Sequence, residues 1–189
     1  MAKRKKKQQS KNMFQSLKDR LQKQSSILLF CLGLVTIMFI YYWFYSQEFF
    51  NENINRPILE FYAWTGSGSL NIFGLGTSVN ETFVLNNEFS LNVGKGCDAL
   101  SPMVLIMAAI LTFPIAFKLK IPALIIAPIA IIFLNIIRIM SLFLIGVHAP
   151  DFFEIAHVEI WQSIFIIFCL MGWLYWLVWA VKKQKHAVA

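Results

Sequence analysis

Four long apolar runs constrain the fold of this chain more than any other feature of its sequence. They occupy Ser26–Tyr45, Ala99–Phe117, Ile121–Val147 and Ile160–Val181. Each is roughly twenty residues long or longer, which is the length an α-helix needs to cross a hydrocarbon core about 30 Å thick. Only 14% of the residues are charged, against about 25% in soluble domains. The sequence therefore predicts an all-α integral membrane protein with about four transmembrane helices.

The basic residues predict how these helices are oriented. Fourteen of the seventeen lysines and arginines lie in the segments 1–24, 118–120 and 182–185. The segments 46–98 and 148–159 hold only two basic residues but nine of the ten acidic ones. Lysine and arginine accumulate in cytoplasmic loops. We therefore expect both termini in the cytoplasm and the two acidic segments on the extracytoplasmic side, and we find no reason to infer nucleic-acid binding.

This topology divides the chain into five parts. We expect a basic cytoplasmic tail over 1–24, held near anionic lipid by its charge, and a first transmembrane helix over 25–46. An extracytoplasmic loop over 47–96 precedes a core of three transmembrane helices over 97–181, and 182–189 form a second cytoplasmic tail. A basic start before an apolar run also occurs in cleaved signal peptides. Here the run ends in the aromatic sequence YYWFY instead of a small-residue cleavage site, so we interpret it as an uncleaved anchor.

The loop over 47–96 has strand-like stretches broken by glycine and asparagine. The sequence GSGS at 66–69 indicates a break, and the stretches Ser69–Phe73, Thr82–Leu85 and Glu88–Val93 carry strand-forming residues. We therefore expect that the loop holds a small β-hairpin that leads into the second apolar run.

Cys97 lies where this polar loop meets the second apolar run. A thiol at a helix start feels the positive end of the helix dipole and the unpaired N–H groups of the first turn, which favour the nucleophilic thiolate. The alternative is a small apolar residue at a helix start. The other two cysteines, Cys31 and Cys169, lie within apolar runs, and no spacing predicts a disulfide framework or a zinc site.

Two further side chains are predicted to reach the same membrane face as Cys97. Arg138 lies seventeen residues into its run, about 25 Å from the inner end at ~1.5 Å per residue. A charge inside a span faces a cavity or a partner more often than lipid, and Asn135 at i−3 favours a polar cleft over a snorkelling arginine. His157 is preferred to His148 because the residues around it predict a helix that lies at the interface.

Two other classes of function remain open from the residues alone. The first is a metal-dependent enzyme that uses the near-helically spaced residues of the outer link, within which Glu154-x-x-His157 is half of a di-iron motif. The chain shows no second copy of that motif. The second is a non-enzymatic chaperone or assembly factor that uses the polar cleft only to bind, which would leave the position of Cys97 unexplained.

Several of these residues together resemble the exosortase/archaeosortase family. The resemblance is carried by Gly96-Cys97, Phe113-Pro114, Asn135-x-x-Arg138 and a histidine about twenty residues later, over roughly Gly94 to Trp179. Many exosortases carry additional spans that this chain lacks. Two longer runs resemble the short exosortase H group, namely Arg138-Ile139-x-Ser141-Leu142-Phe143-x-x-Gly146 and Phe153-Glu154-x-Ala156-His157-x-x-x-Trp161-Gln162.

The resemblance implies a cysteine transpeptidase or protease of the bacterial inner membrane, without cofactor or metal. It implies Cys97 as nucleophile, His157 as general acid/base and Arg138 as an electrostatic element, although Arg138 could instead bind a substrate carboxylate. Supporting roles are expected for Asn135, Glu154, Trp161 and Gln162. The implied substrates are membrane-anchored exported proteins whose C-terminal sorting signal combines a motif, an apolar span and a basic end. For the H group that motif is of the Ile-Pro-Thr-Leu type.

Overall fold

The computed structural model describes the backbone of residues 25–188 and the side chains of residues 25–185. The basic tail predicted over 1–24 lies outside the described residues. The five longer helices are α1 (Ser25–Tyr45), α2 (Arg56–Ile72), α3 (Leu100–Thr112), α4 (Phe117–His148) and α5 (Trp161–Val188). Residues 182–188 of the tail predicted over 182–189 therefore continue α5 beyond Val181, and residue 189 lies outside the described residues.

Shorter helical segments lead into α2 and α5. A helical turn at Glu48–Phe50 and a π-helical segment at Asn51–Asn55 precede α2. Three segments precede α5: a 3-10 turn at Pro150–Phe152, a helical turn at Phe153–Ile155 and a π-helical segment at Ala156–Ile160.

Within the part of the chain that the structure describes, three helices are long and apolar enough to cross a membrane, namely Ser25–Tyr45, Phe117–His148 and the continuous helical stretch Pro150–Lys185. This agrees with the predicted helical membrane protein. The second predicted span is shorter than expected, since α3 has only 13 residues and is about 20 Å long at ~1.5 Å per residue. It ends because the residue before a proline is driven out of the helical region, and Phe113, which precedes Pro114, is extended.

The predicted strand at Ser69–Phe73 is wrong, because those residues continue or cap α2. The glycines before them do not break the helix. Gly66 instead permits close packing on α4, since a Cβ there would lie 2.7 Å from Ile139 Cγ2. The segment over 47–96 is therefore a helix followed by a sheet, and not only a loop with a hairpin.

The small sheet consists of β1 (Ser78–Asn80), β2 (Phe83–Leu85) and β3 (Ser90–Asn92), antiparallel in the order β1-β2-β3. The last two strands lie within the predicted stretches Thr82–Leu85 and Glu88–Val93. Val84 and Leu91, one from each of β2 and β3, are buried. The loop between these strands carries Phe89, whose ring lies where a Cβ on Gly146 of α4 would be. Glycine at 146 is thus what allows the sheet to dock on α4.

Helix α4 is central and packs against α2, α3 and α5. We use the term site end for the end of the bundle at which α1 and α4 finish and α3 and α5 begin. At the opposite end, Phe30 of α1 contacts Phe113 and Trp173, with ring centroids 5.5 and 6.2 Å apart. Lys120 is buried there, and its Nζ donates a hydrogen bond to the Leu111 carbonyl at the end of α3. Lys120, one of the basic residues predicted to lie on the cytoplasmic side, therefore caps the C-terminal end of α3 instead of contacting water.

Candidate active site

Cys97 lies in a tight loop before α3 and not in its first turn. The Cys97 N–H donates to the Gly94 carbonyl at 2.9 Å. Gly96 and Ala99, on either side, have positive φ angles of 94° and 53°, a region that glycine tolerates and alanine adopts with strain. The helix begins only at Leu100, whose N–H is capped by the Asp98 carboxylate at 2.9 Å. The loop therefore turns the thiol away from the helix axis.

The protonation of this thiol differs from the expectation. Burial raises the pKa of Cys97, the positive charge of Arg138 lowers it, and the charge of Asp98 raises it further. The expectation that the helix start would favour the thiolate is wrong, because Asp98 occupies the helix N-terminus and the thiol is buried. Burial and Asp98 therefore favour the neutral thiol, which needs a base to become a nucleophile.

His157 lies within reach of that thiol. Its Nε2 is 3.3 Å from Cys97 Sγ, across 60 residues of sequence. It belongs to the π-helical segment Ala156–Ile160, a local geometry that is frequent at functional sites. The Phe153 ring lies 5.7 Å from the imidazole, and Phe89 contacts both Phe153 and Phe143. A row of aromatic rings therefore ties the imidazole to the sheet and to α4.

Arg138 and Asn135, one turn apart on α4, hold the backbone of both reactive segments. Asn135 Nδ2 donates to the Cys97 carbonyl at 2.7 Å. Arg138 Nη1 donates to the Gly96 carbonyl at 3.2 Å, and its Nη2 donates to the His157 carbonyl at 3.4 Å. Asn135 is fully buried and Arg138 is only 8% exposed, so Arg138 is not a snorkelling residue. Its Nε has no hydrogen-bond partner among the described residues.

The remaining predicted residues have different surroundings. Trp161 is buried and its ring lies 6.2 Å from that of Phe165, which in turn lies beneath Arg138 Cζ at 5.8 Å. Gln162 is exposed and lines a cleft beside His157. Glu154 is exposed one turn before His157. Trp161 thus packs against Phe165, the residue beneath Arg138, whereas Gln162 and Glu154 are exposed at the edge of the site.

Sequence reasoning missed the residues that attach α1 to the site. Tyr45 Oη donates to the Asp98 carboxylate at 2.6 Å, and Tyr41 Oη and Ser101 Oγ are 3.0 Å apart. Asp98 is only 2% exposed. The i, i+4 spacing of the two tyrosines was the available signal, but the same residues also fit an aromatic belt at a membrane interface.

Behind Asn135 lies another residue that sequence reasoning missed. Tyr62 of α2 is buried, and burial raises the pKa of its hydroxyl to about 12, with the Asn135 side chain acting in the opposite direction. The hydroxyl is therefore protonated at neutral pH. It belongs to the packing that fixes Asn135 beneath the Cys97 loop.

A cleft of about 440 Å³ opens beside these groups. Its polar lining comes from Lys95, Arg138, His157 and Gln162, and its apolar lining comes from α1, α3 and α5. Among the described residues, no group of three or more His, Cys, Asp and Glu side chains is arranged to hold a metal ion. The acidic residues and histidines of the 148–159 link thus do not converge.

A model of the transmembrane exosortase family matches residues 23–174, which include every group described above. The chain belongs to the transmembrane exosortase family. Exosortases are membrane cysteine transpeptidases that act on exported proteins with C-terminal sorting signals, and the apolar helices agree with an integral membrane protein. No curated protein and no solved structure matches the chain.

Proposed function

We propose that this exosortase cleaves the C-terminal sorting signal of membrane-anchored exported proteins through a thioester on Cys97. The observation that carries the proposal is the 3.3 Å separation of Cys97 Sγ and His157 Nε2, from segments 60 residues apart. A nucleophile and a base within hydrogen-bond reach are the signature of covalent catalysis.

The reaction follows from the neutral resting state. His157 Nε2 takes the thiol proton, and the thiolate attacks the carbonyl carbon of the substrate peptide bond. When the tetrahedral oxyanion collapses, the C–N bond breaks, and His157 returns the proton to the leaving amine nitrogen. Water or an acceptor nucleophile then attacks the thioester carbon. The proton of that nucleophile passes through His157 to the departing Cys97 sulfur, which restores the resting enzyme.

Arg138 acts electrostatically in this scheme. Its fixed charge opposes the effect of burial on Cys97 and favours the thiolate and the oxyanion that follows it. Both terminal nitrogens already donate to the Gly96 and His157 carbonyls. These contacts use two of the five N–H donors of the guanidinium and fix its charge beside the reactive pair, which favours the electrostatic role.

The substrate and orientation belong to the same proposal. The distribution of basic residues favours both termini in the cytoplasm of a bacterial inner membrane and the site on the extracytoplasmic side. An enzyme and a substrate that are both anchored in the membrane meet at a fixed depth, which suits a tail made of a motif, an apolar span and a basic end. Similarity to the H group supports a motif of the Ile-Pro-Thr-Leu type.

The test is a comparison of mature C-termini. A tagged exported reporter with such a tail is co-expressed with the parent enzyme, Cys97→Ala, Cys97→Ser or the control Cys31→Ser, and its C-terminus is determined by mass spectrometry. We expect trimming with the parent and Cys31→Ser but not with either Cys97 variant, because a serine hydroxyl is poorly activated in a site for a thiol.

Two outcomes would contradict the proposal. Tails that stay full-length with the parent enzyme would contradict the sorting assignment. Equal trimming with Cys97→Ala would exclude the thioester, and the binding-only chaperone or assembly factor would then be the better explanation of the cleft.

A further inference from the structure

The cleft beside Cys97 is wedge-shaped. One wall is α1, with Met38 and Tyr42, and the other is α5, with Gln162, Ile166 and Cys169. At the site end the cleft lies between these two helices. At the opposite end Phe30 of α1 and Trp173 of α5 stack with ring centroids 6.2 Å apart. The cleft is therefore closed towards the end of the bundle that carries Lys120 and open towards the end that carries the thiol.

The attachment of α1 to α3 keeps this wedge in place. Tyr45 and Tyr41 bond to Asp98 and Ser101 at the site end. Further along, Gly33 lies against Thr112, where a Cβ would be 2.8 Å from Thr112 Cγ2. Because α1 is attached to α3 at both ends, the open side of the cleft lies between α1 and α5.

That open side is lined by exposed apolar side chains. Both walls belong to helices long and apolar enough to span a membrane. The lining residues Ile166, Val158 and Leu105 remain 58%, 47% and 38% exposed. A segment could therefore enter sideways from the hydrocarbon without crossing the protein.

Polar and apolar groups are separated along the cleft. Arg138 and His157 lie beside Cys97 and Lys95 is two residues before it, whereas Leu105, Ile166 and Cys169 lie five to eight residues further along α3 and α5. From Gln162 to Cys169 the α5 wall runs about 10 Å at ~1.5 Å per residue. At ~3.3 Å per residue, about three residues of an extended chain fit along it.

We propose that this lateral cleft holds the first membrane-embedded residues of the substrate, directly C-terminal to the cleaved bond. The inference rests on the proposed function. A peptide bond opposite Cys97 Sγ leaves its acyl part at the polar mouth and its amine part in the apolar depth. After cleavage, the released span leaves between α1 and α5 into the bilayer, and its apolar surface never enters water.

Two neighbouring isoleucines provide a matched test. Ile166 lines the cleft, whereas Ile167 does not, and their exposures of 58% and 60% are nearly equal. Ile166→Trp should fill the cleft and reduce the rate of trimming of the reporter at least tenfold, whereas Ile167→Trp should stay within twofold of the parent. Replacing the first three span residues of the reporter by alanine should restore trimming by Ile166→Trp. Equal rates for the two variants would overturn the inference and leave the proposed function intact.

Photocrosslinking identifies the occupant directly. In the Cys97→Ala background, an aliphatic diazirine amino acid about the size of isoleucine at 166, which leaves the cleft open, should crosslink the reporter just after its cleavage site, and the same group at 167 should crosslink lipid alone. Crosslinks from 166 to lipid only, or to a second copy of the enzyme, would overturn the inference. This measurement does not require cleavage, so it tests the cleft even if Cys97-dependent trimming is absent.

Discussion

At the scale of single residues, the reactivity of Cys97 depends on two opposing influences. Burial raises the pKa of the thiol, and the charge of Arg138 lowers it. Arg138 also has a structural role, because it donates to the Gly96 and His157 carbonyls on both sides of the reactive pair. The charge and the planar fork of the guanidinium can be separated experimentally, since lysine retains the first and lacks the second.

Arg138→Met should slow the alkylation of Cys97 by iodoacetamide at pH 8. Without the positive charge the pKa of the thiol rises, and below the pKa each unit of that rise lowers the thiolate fraction, and with it the alkylation rate, about tenfold. Arg138→Lys should alkylate close to the parent rate but fail to trim the reporter, because it cannot hold both carbonyls. The rates are measured in a Cys31→Ser, Cys169→Ser background, so that Cys97 is the single thiol.

The pH dependence of alkylation in the parent enzyme tests the direction of the pKa shift of Cys97. A raised pKa means that alkylation of Cys97 should level off at a higher pH than alkylation of an unperturbed cysteine. A profile that levels off below pH 8, or an Arg138→Met variant as reactive as the parent, would contradict this account of the thiol.

At the scale of elements, glycines determine how α2 and the sheet pack on α4. Gly66 lies where a Cβ would be 2.7 Å from Ile139 Cγ2, and Gly146 lies beneath the Phe89 ring. Ile139 is adjacent in sequence to Arg138. Phe89 contacts Phe153, whose ring lies beside His157. Close packing of these elements therefore positions two of the three predicted catalytic side chains.

Gly66→Ala should destabilise the protein and reduce trimming. The new methyl group meets a β-branched side chain with little rotamer freedom, and overpacking of this kind costs about 1–3 kcal/mol. Gly68→Ala, two residues later on the exposed side of α2 with open space around it, should instead raise stability by up to about 1 kcal/mol through helix propensity. Thermal unfolding in detergent measures both variants, and a higher Tm for Gly66→Ala would show that the helices are not in close contact there.

At the scale of the whole molecule, the alternation of the helices brings Cys97, Arg138 and His157 to one end of the bundle. The basic segments 118–120 and 182–185 belong to the start of α4 and the end of α5, at the opposite end. The arrangement is therefore internally consistent with the predicted orientation. The direction of insertion stays a prediction.

Labelling with a membrane-impermeant maleimide tests that direction. In an enzyme without native thiols, Glu88→Cys should label in intact cells and Lys183→Cys only after the cells are permeabilised. Both positions are exposed, whereas Ser67, in the same segment as Glu88, is buried and bonded to Thr77 and would label poorly. Labelling of the cysteine at 183 alone in intact cells would invert the topology and remove the site from the extracytoplasmic side.

Much of this architecture could be predicted without coordinates. Hydropathy and charge are local properties, so apolar runs and basic flanks predict a helical membrane protein, and short motifs indicate the exosortase family. Local sequence patterns predicted secondary structure less reliably where tertiary packing determines the backbone conformation. The glycines before Ser69 predicted a break but lie within α2, and the second apolar run predicted a span that ends early at Phe113.

The sequence by itself determined the class of protein, its family and the three side chains to consider. Only the tertiary structure decided that the His157 imidazole lies within hydrogen-bond reach of the thiol, that Arg138 donates to backbone carbonyls, and that the Cys97 thiol is buried. The physical reason is distance along the chain. Hydropathy acts within one helix, whereas the contact between Cys97 and His157 joins residues 60 positions apart and exists only because α3, α4 and α5 pack together.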